Sequence, residues 1–188
     1  MQHFIFVRHS KVERNPDIPS AEWQLSENGR ILTQQLAPKL AAYQPTRVIT
    51  SHEAKAIGTG QIVADHWQLP CHAADGLQEH DRQGAPYFPD QQQFFATVES
   101  FFKHPTELVF GNETADQARD RFATAVSQQT QQFPNDTLLI TTHGTVLSLF
   151  IAHKNPQLDI IEFWKNLPLP CALICTLPDF NLIEKIEA

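Results

Sequence analysis

Two histidines stand where chemistry would need them. His9 follows the apolar run Phe4-Ile5-Phe6-Val7 and a cation, Arg8, while His143 follows a second run, Leu138-Leu139-Ile140, and opens His143-Gly144-Thr145. A third run, Val48-Ile49, leads to Ser51, with Lys55 one helical turn further on. Taken singly these signals are cheap, since a lone histidine at a strand end is more often structural than catalytic. Together they place two imidazoles and two cations just beyond three strand candidates. That set suits a phosphoryl group, whose transfer is mostly positioning plus stabilisation of charge on three equatorial oxygens. Arg8 and Lys55 would supply cations, and His143, when protonated, a third. His9 can accept a phosphoryl group on one ring nitrogen while a backbone carbonyl holds the other, which splits the reaction into two steps. The leaving oxygen then needs a proton from a carboxylic acid within hydrogen-bond reach.

The elements that must position these residues alternate. After the three runs, Ala172 to Leu177 reads as a further strand and Leu182 to Ile186 as an edge strand. Between them lie helical patterns. Ser26 can cap a helix carrying Leu32, Leu36 and Leu40, which Pro38 should kink or break. A second helix runs from Glu53 to His66 despite Gly58 and Gly60, each costing about 1 kcal/mol relative to alanine. Thr114 and Gln117 form a capping-box pattern before Ala118, Phe122 and Val126 on one helical face. Strands alternating with helices predict an α/β three-layer sandwich, with a mostly parallel central sheet covered by helices on both faces. Ligands in such sheets bind beyond the carboxyl ends of the strands, where helix N-termini already favour anions.

A single domain over residues 1–188 is expected, with residues 84–111 breaking the rhythm. That segment holds Tyr87, Phe88, Phe94, Phe95, Phe101, Phe102 and Phe110. It reads equally as an aromatic cap over the sheet edge or as a surface helix packed on the core. A hydrophobic share of 41% with 19% charged residues is that of a globular chain. The net charge of −7 argues against a broad nucleic-acid surface. No apolar stretch reaches the 18 or so residues of a membrane span, and the short N-terminal run is no signal sequence, so a cytoplasmic location is expected. Cys71, Cys171 and Cys175 read as reduced thiols, and the other histidines lack metal-ligand spacing. Neither a metal nor a cofactor is expected.

The chain resembles the histidine phosphatase superfamily, which includes cofactor-dependent phosphoglycerate mutases and many small phosphatases. The resemblance rests on Val7-Arg8-His9-Ser10 with Asn15, Leu25 to Arg30, Ser51 to Thr59, Leu77-Gln78-Glu79, Glu113-Thr114 and Thr142-His143-Gly144, in that order. It implies a phosphoglycerate mutase-like fold and a small phosphorylated substrate. It implies further that His9 takes up the phosphoryl group, that Arg8, Asn15, Lys55 and His143 hold its oxygens, and that Glu79 is the proton donor. Ser10 and Arg82 are candidate substrate contacts. Ser10 stands where the family usually has glycine and Lys55 where arginine is usual; an ammonium lacks the planar bidentate grip of a guanidinium. A phosphatase is the first expectation. A mutase and a phosphate-binding regulatory module with reduced catalysis are the alternatives.

Overall fold

The computed structural model describes residues 2–85 and 87–188. Strand β1 (His3–Arg8) shows how its sheet is filled. Side chains alternate across a strand, so Phe4 and Phe6 enter one core and Ile5 and Val7 the other. Both faces are covered, which is why the run has no polar alternation. In β4 (Leu138–Thr142), Leu138 and Ile140 join the first core and Leu139 the second. β5 (Cys171–Thr176) repeats the pattern, with Leu173 on one side and Ala172 and Ile174 on the other.

With β2 (Arg47–Thr50), β3 (Cys71–Ala73) and β6 (Asn181–Glu187), these form one six-stranded sheet of order β3-β2-β4-β1-β5-β6. The first four run parallel; β5 and β6 are antiparallel additions at one edge. The mostly parallel α/β sandwich is therefore the observed architecture. β3 has no counterpart in the apolar pattern. It is three partly buried residues, Cys-His-Ala, whose strand character comes from pairing with β2.

Helices α1 (Glu27–Leu36) and α2 (Ala54–Trp67) cover the Ile5 face. The Ser26 side chain caps α1 by accepting from Gly29 N–H, and the helix stops at Leu36, ahead of Pro38, continuing as a 3-10 stretch to Tyr43. Gly60 of α2 has a packing cause. A Cβ there would lie 2.4 Å from the Thr50 methyl and 2.8 Å from Thr141 Oγ1. The helix could not rest on the sheet with any larger residue.

The Phe4 face is covered by α3 (Gln91–Lys103), α4 (Ala115–Gln132), α5 (Gly144–Lys154) and α6 (Ile160–Lys165). The Thr114–Gln117 capping box opens α4, with both reciprocal bonds made. In the 84–111 segment, α3 buries Val98, Phe101 and Phe102 in the core, while Phe94 and Phe95 in its first turns line a cavity. It has features of both readings, a core-packed helix whose leading end borders open space. Pro86 lies outside the described residues.

Candidate active site

β1 and β4 are neighbours in parallel register, Arg8 opposite Thr142, and His9 N–H donates to Thr142 O at 2.9 Å. The residues just past the two strands must therefore meet. The His9 and His143 rings lie 5.3 Å apart, centroid to centroid. β2 flanks β4 on the other side, bringing Ser51 Oγ to 2.6 Å from His143 Nε2.

His9 is oriented by its own loop. Its Nδ1 lies 2.8 Å from Ser10 O, which as Nδ1–H···O leaves Nε2 with a free lone pair. Burial, with His143 packed alongside and the cations Lys55 and Arg8 close by, pushes its pKa well below the usual imidazole value, so the ring is neutral. Ser10 does not reach a substrate. Its hydroxyl turns away to donate to Gly29 O at 2.7 Å, and its N–H donates to Thr59 Oγ1 at 3.0 Å. The expected contact from Ser10 is thus replaced by a tie between the His9 loop and α1, which lets a side chain occupy a position usually given to glycine.

Around His9 stand buried nitrogens without partners among the described residues: Arg8 Nε, His143 Nδ1 and Arg82 Nε. Buried polar atoms are seldom left so. Arg8 is held by donation to Leu167 O, and it fits only because residue 144 is glycine; a Cβ there would lie 2.9–3.0 Å from the guanidinium. Arg82 donates to Thr145 Oγ1 at 2.9 Å and faces the Glu79 carboxylate at 3.4 Å. His143 does not supply the third cation anticipated from sequence. Complete burial, reinforced by Lys55, pushes its pKa well down, and it serves as a neutral donor or acceptor.

Glu79 sits at the start of α5. Its Oε1 accepts from His80 N–H at 2.9 Å and Val146 N–H at 3.1 Å, and Oε2 accepts from Thr145 N–H at 3.1 Å. Burial alone would raise its carboxyl pKa, but Arg82, His143 and these N–H donors outweigh burial and hold it well below the usual carboxylate range. In the free site Glu79 is therefore an anion, not the stored proton that the donor role supposes. Arg121 fixes the loop beneath it, donating to Gly76 O, Gln78 O and Glu79 O and pairing with Glu113.

Asn15 departs furthest from expectation. Its Oδ1 accepts from Asp17 N–H at 2.9 Å and its carbonyl from Trp23 Nε1–H at 2.8 Å, and the residue is exposed and does not line the cavity. The turn bond occupies the acceptor Oδ1, and Asn15 stays outside the cavity wall, which Lys11 and Arg14 line. The sequence reading also missed Glu53. It was visible only as the start of α2, yet its Oε2 lies 2.6 Å from Lys55 Nζ and its Oε1 accepts from Glu79 N–H at 2.7 Å. Its spacing of two residues from Lys55 was the available signal.

The family model described as "Histidine phosphatase superfamily (branch 1)" matches residues 4–177. The chain belongs to this superfamily. A curated relative, "Uncharacterized phosphatase PhoE" of Bacillus subtilis, is 22% identical over 164 residues, covering 81% of this chain and 79% of that protein. Among solved structures, Bacillus stearothermophilus YhfR superposes with a TM-score of 0.76 at 20% identity, covering all of this chain and 96% of that one. A phosphoserine phosphatase mutant from Entamoeba histolytica, in complex with phosphoserine, gives 0.76 at 15% identity, covering 97% and 94%. The α-ribazole phosphatase of Shigella flexneri gives 0.74 at 20%, covering 100% and 96%. At these identities the structural likenesses speak for the fold.

His9 and Glu79 open onto a cavity of about 1310 Å³. Trp23, Tyr87, Phe88, Phe94, Phe95 and Trp164 form much of its wall. Its size is ample for a small organic molecule beyond the phosphoryl group. Among the described residues no group of His, Cys, Asp and Glu is arranged to hold a metal ion, and no helix is long and apolar enough to cross a membrane.

Proposed function

We propose that this chain is a phosphatase that hydrolyses a small phosphomonoester through a phosphohistidine on His9. The observation that carries this reading is the neutral His9 ring, held through Nδ1 by Ser10 O, facing buried Arg8, Arg82 and His143 nitrogens that lack partners. A phosphoryl group would satisfy those donors and present phosphorus to Nε2.

In the first step Nε2 forms a bond to phosphorus and the ester P–O bond breaks, its electron pair leaving with the alcohol oxygen. Positive charge on Arg8, Lys55 and Arg82 stabilises the three phosphoryl oxygens. Side chains do this without a metal ion. The departing oxygen needs a proton, and because Glu79 rests as an anion, that proton arrives with the substrate. A phosphomonoester keeps one proton below a second pKa of about 6. Glu79 relays it to the alcohol. In the second step Glu79 takes a proton from water as the water oxygen bonds to phosphorus and the P–N bond breaks, its electron pair returning to His9 Nε2. Glu79 then passes that proton to the departing phosphate, which leaves as its monoanion. Glu79 begins and ends the cycle ionised, as the free site holds it.

The phosphoenzyme is the test. A labelled substrate should leave acid-labile phosphate on the wild type at rapid quench, in EDTA as well as without it. His9→Ala should lose both label and turnover. Substantial turnover by a folded His9→Ala protein would overturn the mechanism.

A further inference from the structure

Lys55 does not wait with a free charge. Its ammonium is 2.6 Å from Glu53 Oε2 and donates to Ser20 O at 2.6 Å. Glu53 Oε1 stands 3.4 Å from His143 Nε2 and accepts Glu79 N–H at 2.7 Å. The Glu53 side chain is 11% exposed, and although Glu53 occupies the N-cap position of α2 it makes no capping bond to that helix. Its carboxylate has turned into the cage. We propose that Glu53 is an internal competitor for the phosphoryl group, set to weaken the hold on phosphate and shift substrate selection onto the rest of the ester. This rests on the reading of the cage as a phosphoryl site.

The argument is one of charge and geometry. A carboxylate resembles part of a phosphoryl group in charge and in its accepting oxygens, and here it already holds Lys55 and borders His143. A phosphoryl group on His9 needs the same ammonium, so either Glu53 withdraws or two anions share one cation at contact distance. The charged side chains lining the cavity are Arg8, Lys11, Arg14, Lys55, Arg82 and Lys165 against Asp17, Glu53, Glu79, Asp81 and Glu187, with His9 and His143 neutral. Without Glu53 the cage would carry one more net positive charge. Its presence lowers affinity for inorganic phosphate, the product, which must leave at each turnover. The affinity that phosphate does not supply must come from the alcohol portion of the ester, for which the aromatic-walled cavity is available.

Glu53→Gln keeps shape and removes charge. Binding of inorganic phosphate and of vanadate is measured by calorimetry on wild type and variant, which requires no turnover. Glu53→Gln should bind both at least tenfold more tightly. Its KM should fall more for small esters than for bulky ones, narrowing the ratio of kcat/KM between them. Glu53→Leu, which cannot hold Lys55 at all, should also tighten binding. Unchanged or weaker binding in Glu53→Gln overturns the inference and makes Glu53 a brace for Lys55, whereas no binding by either protein refutes the cage as a phosphoryl site and the inference with it. Tighter binding in Glu53→Gln with weaker binding in Glu53→Leu would do the same, because it shows a positioning role. A His9→Ala protein that still turned over would refute the phosphohistidine reading, while these binding measurements would still decide the role of Glu53.

Discussion

Replacing Glu79 by glutamine changes one atom at the point where stability and chemistry meet. The carboxylate accepts three backbone N–H bonds and faces Arg82, so every nearby partner is a donor. An amide must turn its NH2 toward one pair of them. The less costly choice keeps the His80 and Val146 bonds and gives up Thr145 N–H and the 3.4 Å contact with Arg82. Leaving a buried N–H unmade costs about 1–3 kcal/mol, and two surviving bonds lose about 1 kcal/mol each on passing from charged to neutral. The sum, about 3–5 kcal/mol, is a large part of a typical domain's stability. The loss should also depend on pH. Glu79 has its folded pKa held below its unfolded value of about 4.3, so its contribution is present above that value and is lost as pH falls through it. Between pH 7 and pH 3 the gap between wild type and Glu79→Gln should therefore shrink by about 2 kcal/mol. Denaturant unfolding at both pH values measures it. On the folded variant, single-turnover phosphoenzyme formation should slow by about 10² to 10⁴ with an alkyl phosphate, whose leaving oxygen is strongly basic. A nitrophenyl phosphate, which leaves as a stable phenolate, should slow far less. Equal slowing of both esters would make Glu79 a structural cap only. A stability gap that ignores pH would refute the account of its hydrogen bonds.

Because His9 is neutral and the proton comes with the substrate, kcat/KM should fall as pH rises above about 6 and should reach a plateau, with no decline, as pH drops below about 6; an acid limb centred near 6.5 would show that the ring is charged in the free enzyme. Lys55→Arg should keep most activity while Lys55→Ala, which leaves Glu53 buried without its cation, should lose at least tenfold more in kcat/KM; small, equal effects would mean that Lys55 does not serve the phosphoryl group. Gly144→Ala forces a methyl group against the Arg8 guanidinium and should weaken vanadate inhibition by about tenfold, or about 1.4 kcal/mol; an unchanged inhibition constant would remove Arg8 from the cage.

The sheet was legible because both its faces are buried. Phe4-Ile5-Phe6-Val7 and Leu138-Leu139-Ile140 can be continuous apolar runs only where helices cover both sides, and capping residues such as Ser26 and Thr114 mark local bonds that need no tertiary context. β3 was not legible, since Cys71-His72-Ala73 becomes a strand by pairing with β2 rather than by its composition. The two antiparallel strands at the edge likewise take their direction from chain connection, which a run of apolar residues does not encode.

For the site, the sequence determined which groups stand at the strand ends: His9 and His143 follow β1 and β4, and parallel register brings them together. It did not determine where the side chains point or which are charged. Ser10 turns to Gly29, Asn15 closes its own turn, and Glu53 reaches across to Lys55, each by contacts with segments distant in the chain or by local geometry that residue type leaves open. The protonation of His143 and Glu79 was decided only by folding, because a pKa answers to burial and to the charges and N–H groups packed around it. Residue order supplied the groups at the strand ends; packing set their charge and their partners.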